Sequence, residues 1–203
     1  MSKQFRLKDR LKLFDQVVTP CLLYGAGCWS LSEERRHKLR VNQRRMIRKI
    51  VDVKRLWSEM GSSGGCSNQV LSSHSSSSSS TSVETRAEQE NWIDFIKRAT
   101  HIAEDWSSKA GVRDWASEHY RSKFRLAGHM ARREDGRWSA RVLEFRPKGG
   151  GRSRGHPCKR WAQELDDFFS ATHALDRGEW TAMVHKREVW KSLEDSFVAY
   201  WVR

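Results

Sequence analysis

Two adjacent carboxylates, Asp166 and Asp167, come nearest to a catalytic motif by residue type and spacing in this chain of 203 residues. Paired carboxylates hold the metal ions of many phosphoryl-transfer enzymes. Neighbouring residues of a helix, however, point about 100° apart, and these two precede Phe168 and Phe169 in a predicted amphipathic helix. We therefore interpret them as a solvated acidic face and predict no metal site there.

The other possible nucleophiles, bases and metal ligands do not show the spacing of known metal sites, catalytic motifs or phosphate-binding loops. The four cysteines show no C-x2-C spacing, and the eight histidines form no H-E-x-x-H pattern. His129 lies on a predicted helix, where a packed or capping histidine is the favoured interpretation over a base. Gly149-Gly150-Gly151 lacks the Gly-Lys-Ser/Thr of a phosphate-binding loop and is interpreted as a hinge. The sequence predicts no enzyme activity for the chain on its own, and no cofactor.

Clustered cations are the stronger chemical signal. Between Arg121 and Trp161, thirteen Lys or Arg residues accompany three acids, a net charge of +10 against +13 for the whole chain. Residues 33–55 form a second block, with ten bases and three acids. Positive charge of this density requires an anionic partner, and a nucleic-acid backbone is the usual one. RNA, DNA or both are the predicted partners.

The predicted contact residues fall on one helix and on the longer basic stretch. On a helix predicted from Ser30, where Ser30-Leu31-Ser32-Glu33 fits a capping box, one arc is apolar and most cations lie opposite. Around Arg152–Trp161, Gly and Pro keep the backbone extended, so that cations can follow a phosphate chain. The candidate nucleic-acid-binding residues are Arg44, Arg45, Arg48, Lys49, Arg125, Arg132, Arg133, Arg152, Arg154, Lys159 and Arg160.

Each of these assignments has a competing interpretation. The arginines of the first helix can be an ordinary solvated face, and Arg152–Trp161 can be a nuclear-import signal. Trp161 can stack on a base, but its spacing from Leu165 and Phe168 favours a place in the core.

Apolar periodicity predicts an all-α fold. Helices are predicted over Leu7–Val18, ending before Pro20, from Ser30, and over Trp92–Trp106. Further helical patterns follow Gly111, surround Trp138, begin after Pro157, and end the chain as one helix or a pair. The apolar arc of the second helix is formed by Leu39, Met46, Ile47 and Ile50.

A low-complexity segment divides the chain. Six consecutive serines, Ser75–Ser80, lie in a Gly/Ser-rich stretch that cannot bury enough apolar surface to offset its ordering entropy. We predict a helical piece at 1–60, a disordered linker at 61–83 and a helical basic piece at 84–203. The longest apolar stretch, Phe14–Trp29, is too broken to span a bilayer. The expected location is intracellular, in the nucleus or the cytoplasm, without membrane contact.

Several blocks, taken in order, resemble the thumb and post-thumb region of non-LTR (LINE-type) retrotransposon reverse transcriptases. They are Leu11–Gly25, Trp29, Gln43–Ile50, Arg125–Arg132, Arg154–Trp161 and Asp166-Asp167. The resemblance implies that 1–60 is thumb-like and that the helix with Arg44, Arg45, Arg48 and Lys49 contacts a template–primer duplex. It implies that Arg132, Arg154, Lys159 and Arg160 contact element RNA or target DNA.

The same resemblance implies a non-catalytic role. The Y-x-D-D-type carboxylates of the palm, the endonuclease domain and the Cys-Cys-His-Cys knuckle of the family do not occur in this sequence, and His156 stands where the family usually has Arg. The implied function is binding of nucleic acid without a polymerase active site, beside a polymerase core supplied in trans. The alternatives are a structural or interaction module of packed helices, and a decayed retrotransposon remnant.

Overall fold

The computed structural model describes residues 5–56, 90–133, 136, 138–144 and 160–202, and these residues form helices and connections without any strand. The all-α prediction is confirmed. The predicted linker at 61–83 and the candidate residues Arg152, Arg154 and Lys159 lie outside the described residues. None of the described helices combines the length and the apolar character that a bilayer-spanning segment needs. The helices are α1 Leu7–Leu22, α2 Glu33–Val51, α3 Trp92–Ala110, α4 Trp115–Ala131, α5 Trp138–Glu144, α6 Gln163–His173, α7 Trp180–Val184, α8 Arg187–Ser192 and α9 Glu194–Val202, with a 3₁₀ turn at Ala26–Cys28 between α1 and α2.

One hydrophobic cluster joins the first three helices to the start of α4. Leu11 and Phe14 of α1, Ile47 of α2 and Ala103 of α3 pack around Trp115. Residues from both sides of the predicted linker therefore share this core. The division of the chain into pieces at 1–60, 61–83 and 84–203 stays a prediction. The cluster orients α2 against α3 and thereby fixes which side of α2 faces outward.

A second, more aromatic cluster surrounds the rest of α4. Phe124 stacks on Trp190 of α8 with ring centroids 4.1 Å apart, and it also packs against Phe197 of α9. Phe168 and Phe169 of α6 complete the cluster. Because aromatic side chains bury large areas, a few of them hold these short helices together. Helix α4 contributes to both clusters and is the central element of the fold.

Polar contacts fix the N-terminal end of α4. The Asp114 carboxylate accepts a hydrogen bond from the Ser117 backbone N–H at 2.9 Å and caps the helix. The buried Gln43 amide accepts from the Trp115 backbone N–H at 3.1 Å and donates to the Arg113 carbonyl. The Trp115 indole N–H donates to Thr19 at 2.9 Å. Helices α1, α2 and α4 are therefore held in register by side chains as well as by apolar packing.

The predictions for α1 and α2 need three corrections. Helix α1 continues through Pro20 to Leu22; Pro20 is exposed, so its missing hydrogen bond lies toward solvent. The N-cap of α2 is Ser32, whose hydroxyl accepts from the Arg35 N–H, rather than Ser30. Met46 is 42% exposed and does not belong to the buried arc, whereas Ile47 is buried.

The C-terminal pattern was predicted to form one helix or a pair, and this was wrong. Three short helices, α7, α8 and α9, occupy it, because backbone turns at His185–Lys186 and at Leu193 interrupt the apolar period. The other helical patterns are confirmed, and α4 runs without a break through the segment where a restart was left open.

Candidate nucleic-acid interface

The cations predicted on α2 do not all face the same surface. Arg45 and Lys49, four residues apart, are exposed, and Arg48 donates a hydrogen bond to the Thr100 hydroxyl at 2.7 Å. Arg44 lies 3.7 Å from a carboxylate oxygen of Glu104 on α3, in a different groove. Three of the four predicted cations therefore share one surface, and Arg44 does not.

That surface is a groove between α2 and α3, with a volume of about 310 Å³. We call it the α2–α3 groove. Its walls are Arg45, Arg48, Lys49, Asp52, Val53, Phe95, Ile96 and Ala99. Three cations accompany one carboxylate, so the groove favours an anion. The α3 side of the groove is apolar, formed by Phe95, Ile96 and Ala99.

The predicted cations of α4 are partly engaged inside the protein. Arg125 pairs with Glu194 of α9, with 2.6 Å between Nη2 and Oε1, and this hydrogen bond raises the pKa of Arg125. Arg132 donates to the Val184 carbonyl at 3.2 Å. Arg133 is exposed beyond the helix end, and Arg160 is half-buried.

A basic pocket of about 370 Å³ forms where α4 meets α8, and sequence reasoning missed half of it. We call it the α4–α8 pocket. It is lined by Arg125, His129, Arg132, Arg187, Trp190, Lys191 and Glu194. Four Lys or Arg side chains and one histidine line it together with a single carboxylate, Glu194, which pairs with Arg125. His129, interpreted from sequence as a packed or capping residue, is exposed at the rim.

Arg187 and Lys191 are the residues that the sequence did not reveal. They lie four apart on α8, so their side chains share one face of that short helix. Their surroundings in the sequence concealed them, because residues 162–203 contain eight acids and only five bases. Their i,i+4 spacing was visible in the sequence. It indicates a binding surface only once α8 is packed on α4, which brings these two cations next to those of α4.

Other cations of the basic blocks serve the fold. Lys123 is fully buried and pairs with the buried Glu164 of α6, while its ammonium lies 5.1 Å from the Trp161 ring centroid. Arg121 contacts both Glu118 and Asp195. The net charge of the Arg121–Trp161 stretch therefore overstates the charge that it offers to a partner.

Helix α2 likewise uses two of its cations internally. Arg36 and Arg40 donate to the carbonyls of Trp201 and Val202, at 2.5 and 2.8 Å. A guanidinium at the C-terminal end of a helix satisfies unpaired carbonyls and complements the helix dipole. These arginines anchor α9 to α2.

Trp161 packs against the core, which agrees with the interpretation that its spacing from Leu165 and Phe168 favoured. It is half-buried against the aromatic cluster, and its indole N–H donates to the Gly27 carbonyl at 2.8 Å. Gly27 in turn approaches α4 closely, since a Cβ there would lie 3.0 Å from the Ser122 carbonyl oxygen. Trp161 thus fastens the 3₁₀ turn to the start of α6.

Of the two adjacent carboxylates Asp166 and Asp167, the first has a structural role. Asp167 is exposed, as predicted, but Asp166 is half-buried and accepts hydrogen bonds from the Trp180 indole at 2.9 Å and the Gly178 N–H at 3.2 Å. Describing Asp166 as solvated was wrong, because it links α6 to the start of α7. Within the described part of the chain, His, Cys, Asp and Glu residues form no group of three that could hold a metal ion.

Two buried titratable groups lie in the aromatic packing of α4. Burial, followed by the nearby Lys123 charge, lowers the pKa of His119 to about 4. Burial raises the pKa of Tyr120 to about 12. Both groups are consequently neutral at pH 7. His119 stacks on Trp29 at a centroid distance of 6.2 Å and meets Tyr120 edge-on at 5.0 Å.

Comparison with known proteins gives a distant relative. Over 191 residues the chain is 26% identical to a transposon-derived protein of Caenorhabditis elegans whose function is uncharacterised. This similarity supports a transposon-related origin for the chain. The match covers 88% of the chain and 55% of the relative, so the chain spans about half the length of the curated protein it matches. No protein-family model and no solved structure matches the chain.

Proposed function

We propose that this chain is a nucleic-acid-binding segment of a non-LTR retrotransposon reverse transcriptase, which holds element RNA, target DNA or template–primer without a polymerase active site of its own. The α4–α8 pocket carries the proposal. It brings together Arg125, His129, Arg132, Arg187 and Lys191 from two helices more than fifty residues apart in the sequence, against the single acid Glu194.

The free cations of the pocket support this function better than its paired ones. Arg125 is already engaged by Glu194, and Arg132 by a backbone carbonyl. His129, Arg187 and Lys191 are exposed, and their side chains have no hydrogen-bond or ion-pair partner among the described residues. Cations that are not paired with a protein carboxylate can neutralise phosphates and thereby release the counterions condensed on the nucleic acid, and this release drives binding to the backbone. The order of the resembling blocks and the transposon-derived relative favour a retroelement source for the polyanion.

Charge reversal within the pocket tests the proposal. The variant Arg187→Glu/Lys191→Glu is compared with Lys8→Glu/Lys12→Glu, which reverses two exposed cations of the same i,i+4 spacing on α1. Affinity for a labelled RNA or DNA is measured by fluorescence anisotropy over a range of salt concentrations. The pocket variant is expected to bind weakly and to lower the slope of log K against log salt by about two, while the control changes little. Equal effects of both variants, or binding independent of salt, would contradict the proposal.

We also propose that the chain has no polymerase activity of its own. A primer-extension assay with the purified chain is expected to give no template-dependent incorporation, and incorporation above background would overturn this part. In the proposed arrangement a polymerase core supplied in trans performs the synthesis.

The structural-module alternative is favoured by a different observation. Cations at Arg36, Arg40, Arg121 and Lys123 are used to hold helices together. If the whole chain serves only packing or docking onto a polymerase, neither charge-reversal variant alters function, and a core change such as Phe124→Ala does.

A further inference from the structure

An exposed indole lies beside the α2–α3 groove. Trp92, the first residue of α3, is 59% exposed, and the next residue, Ile93, is exposed to a similar extent. The Trp92 ring packs on Phe95, with 5.5 Å between centroids, and Phe95 lines the groove. A large aromatic surface is thus left open to solvent at the edge of a cationic groove.

Beside the indole lies a polar network that we call the Glu90 clasp, formed by Arg55, Leu56, Glu90 and Arg98. The Glu90 carboxylate accepts from Arg98 at 2.7 Å and from the Leu56 N–H at 3.0 Å. Arg55 donates to the Glu90 carbonyl, and its guanidinium lies 5.7 Å from the Trp92 ring centroid. The Arg55 guanidinium over the ring and the Phe95 ring beside it favour this position of the indole, so less ordering is required when a ligand stacks on it.

The groove supplies charge next to this aromatic surface. Arg45 and Lys49 are exposed, and Arg48 is oriented by Thr100. Asp52 is the single acid among the groove residues. Cations that follow a phosphate chain, next to an aromatic ring that accepts a base, are the two components of single-strand recognition.

We propose that the α2–α3 groove binds single-stranded nucleic acid, with phosphates against Arg45, Arg48 and Lys49 and a base stacked on Trp92. The proposal rests on the nucleic-acid-binding function and specifies the form of its ligand at this site. A duplex keeps its base faces within its own stack, so a duplex gains nothing from Trp92. An unpaired base of a single strand, whatever its identity, can stack on Trp92.

The test compares single strands with a duplex of the same sequence. Fluorescence anisotropy measures the affinity of labelled RNA and DNA oligomers of about twelve nucleotides, a length within the range of single-strand sites. The variants are Trp92→Ala and Trp92→Phe. The matched control is Trp138→Ala on α5, because Trp138 is 76% exposed and also lies under an arginine, Arg141, at 5.3 Å.

Trp92→Ala is expected to weaken single-strand binding about tenfold, which corresponds to the loss of one stacked base. Duplex binding should not change, and Trp92→Phe should retain most of the single-strand affinity because it keeps a stacking face. Circular dichroism establishes that each variant is folded.

Other outcomes overturn the proposal in distinguishable ways. One such outcome is that Trp92→Ala weakens single-strand and duplex binding equally. Another is that Trp92→Ala leaves both unchanged while reversal of Arg187 and Lys191 abolishes binding. In either case the α2–α3 groove is not the single-strand site, but the proposed nucleic-acid function stands. If the wild-type chain binds neither form at low salt, both proposals fail.

Discussion

Gly128 of α4 lies directly against the Trp190 side chain of α8. A Cβ on Gly128 would lie 2.5 Å from the Trp190 indole nitrogen and 3.0 Å from its Cδ1. Trp190 is buried and stacked on Phe124, so it has no room to withdraw. The glycine of the Arg125–Arg132 block therefore has a packing role, which is to let α8 carry Arg187 and Lys191 to α4.

We expect Gly128→Ala to destabilise the protein by about 1–3 kcal/mol, as overpacking of a filled core does. Urea denaturation measures this, with Ser170→Ala on the exposed face of α6 as the control for an added helix-favouring alanine. Combining Gly128→Ala with Trp190→Phe removes the clashing part of the ring. The double variant should therefore be less destabilised than the sum of the two singles. Strict additivity would show that the close approach is not the cause.

Glu90 gives a prediction about pH. Its hydrogen bonds, first from Arg98 and then from the Leu56 N–H, lower the pKa of its carboxyl from the ordinary value of 4.5 to about 2. A carboxyl whose pKa is depressed by folding stabilises the folded state above its unfolded pKa, and this contribution is lost as the pH falls toward the folded value. The clasp is therefore at full strength at pH 7 and weakens between pH 4.5 and 2.

Glu90→Gln is expected to be less stable than wild type at pH 7, and the difference should shrink as the pH is lowered from 4.5. Urea midpoints of both proteins at pH 7, 4.5 and 3 provide the comparison. Glu104→Gln, a change at an exposed glutamate of α3 outside the clasp, should show a much smaller difference at every pH. A Glu90→Gln difference that stays constant down to pH 3 would exclude an ionised clasp.

Among the elements, α4 and α6 are joined by a buried ion pair. Lys123 and Glu164 are both fully buried, and Lys123 also lies 3.3 Å from the Trp29 carbonyl. Removal of one partner leaves an uncompensated charge in the interior and typically costs 3–5 kcal/mol, whereas replacing both by apolar residues of similar volume is often neutral.

Lys123→Met is accordingly expected to lower the free energy of unfolding by about 3–5 kcal/mol, and Lys123→Met/Glu164→Met to regain most of it. Chemical denaturation of the three proteins measures both steps. Binding of nucleic acid by the folded double variant should equal that of wild type, because Lys123 is not accessible to a partner. If the double variant is as unstable as the single, Lys123 is required for contacts other than its ion pair.

Helices could be predicted from the sequence where the apolar period was long, as in α3. Ala99 and Ala103 of its apolar pattern are buried, whereas Trp92 and Ile93 at the start of the same pattern are exposed. Helix ends were less predictable. Pro20 was expected to stop α1, but it is tolerated on an exposed side, and α7–α9 divide where backbone turns, invisible in the apolar period, intervene. Such ends depend on tertiary contacts rather than on local preference.

The candidate interface shows the same limit. Arg45, Arg48 and Lys49 could be recognised because cations and apolar residues alternate with helical period on one segment. Arg187 and Lys191 could not, because their partners Arg125 and Arg132 are distant in the sequence. The separation of Arg44 from its neighbours depends on Glu104 of another helix, a contact that no local pattern encodes.

At the scale of the whole molecule, cations divide into those that hold the fold and those that face outward. Arg121 and Lys123 are engaged by carboxylates, while Arg45, Lys49, Arg187 and Lys191 are exposed. A count of charge along the chain cannot separate the two classes. The surface available for a polyanion is therefore smaller and more defined than the net charge of +13 implies.

The residues that flank the stretch 57–89 are joined to each other. The Glu90 N–H donates to the Leu56 carbonyl at 3.1 Å, and Arg98 bonds both Glu90 and the Lys54 carbonyl. The two chain ends that the stretch connects therefore lie beside each other. Because the entropic cost of joining two chain ends grows only slowly with the length of the connection, these two ends can be joined by connections of very different length.

We expect replacement of residues 57–89 by a Gly/Ser linker of about four residues to leave the thermal midpoint unchanged or slightly higher, since a shorter loop loses less entropy on folding. Affinity for single-stranded RNA should also be retained, since the α2–α3 groove and Trp92 are built from residues outside the replaced stretch. The control is the same replacement in a Glu90→Gln background, where the shortened loop should not restore the stability lost with the clasp. A shortened protein that fails to fold would show that residues 57–89 contribute to the core. A shortened protein that folds but no longer binds would show that they contribute directly to the interface.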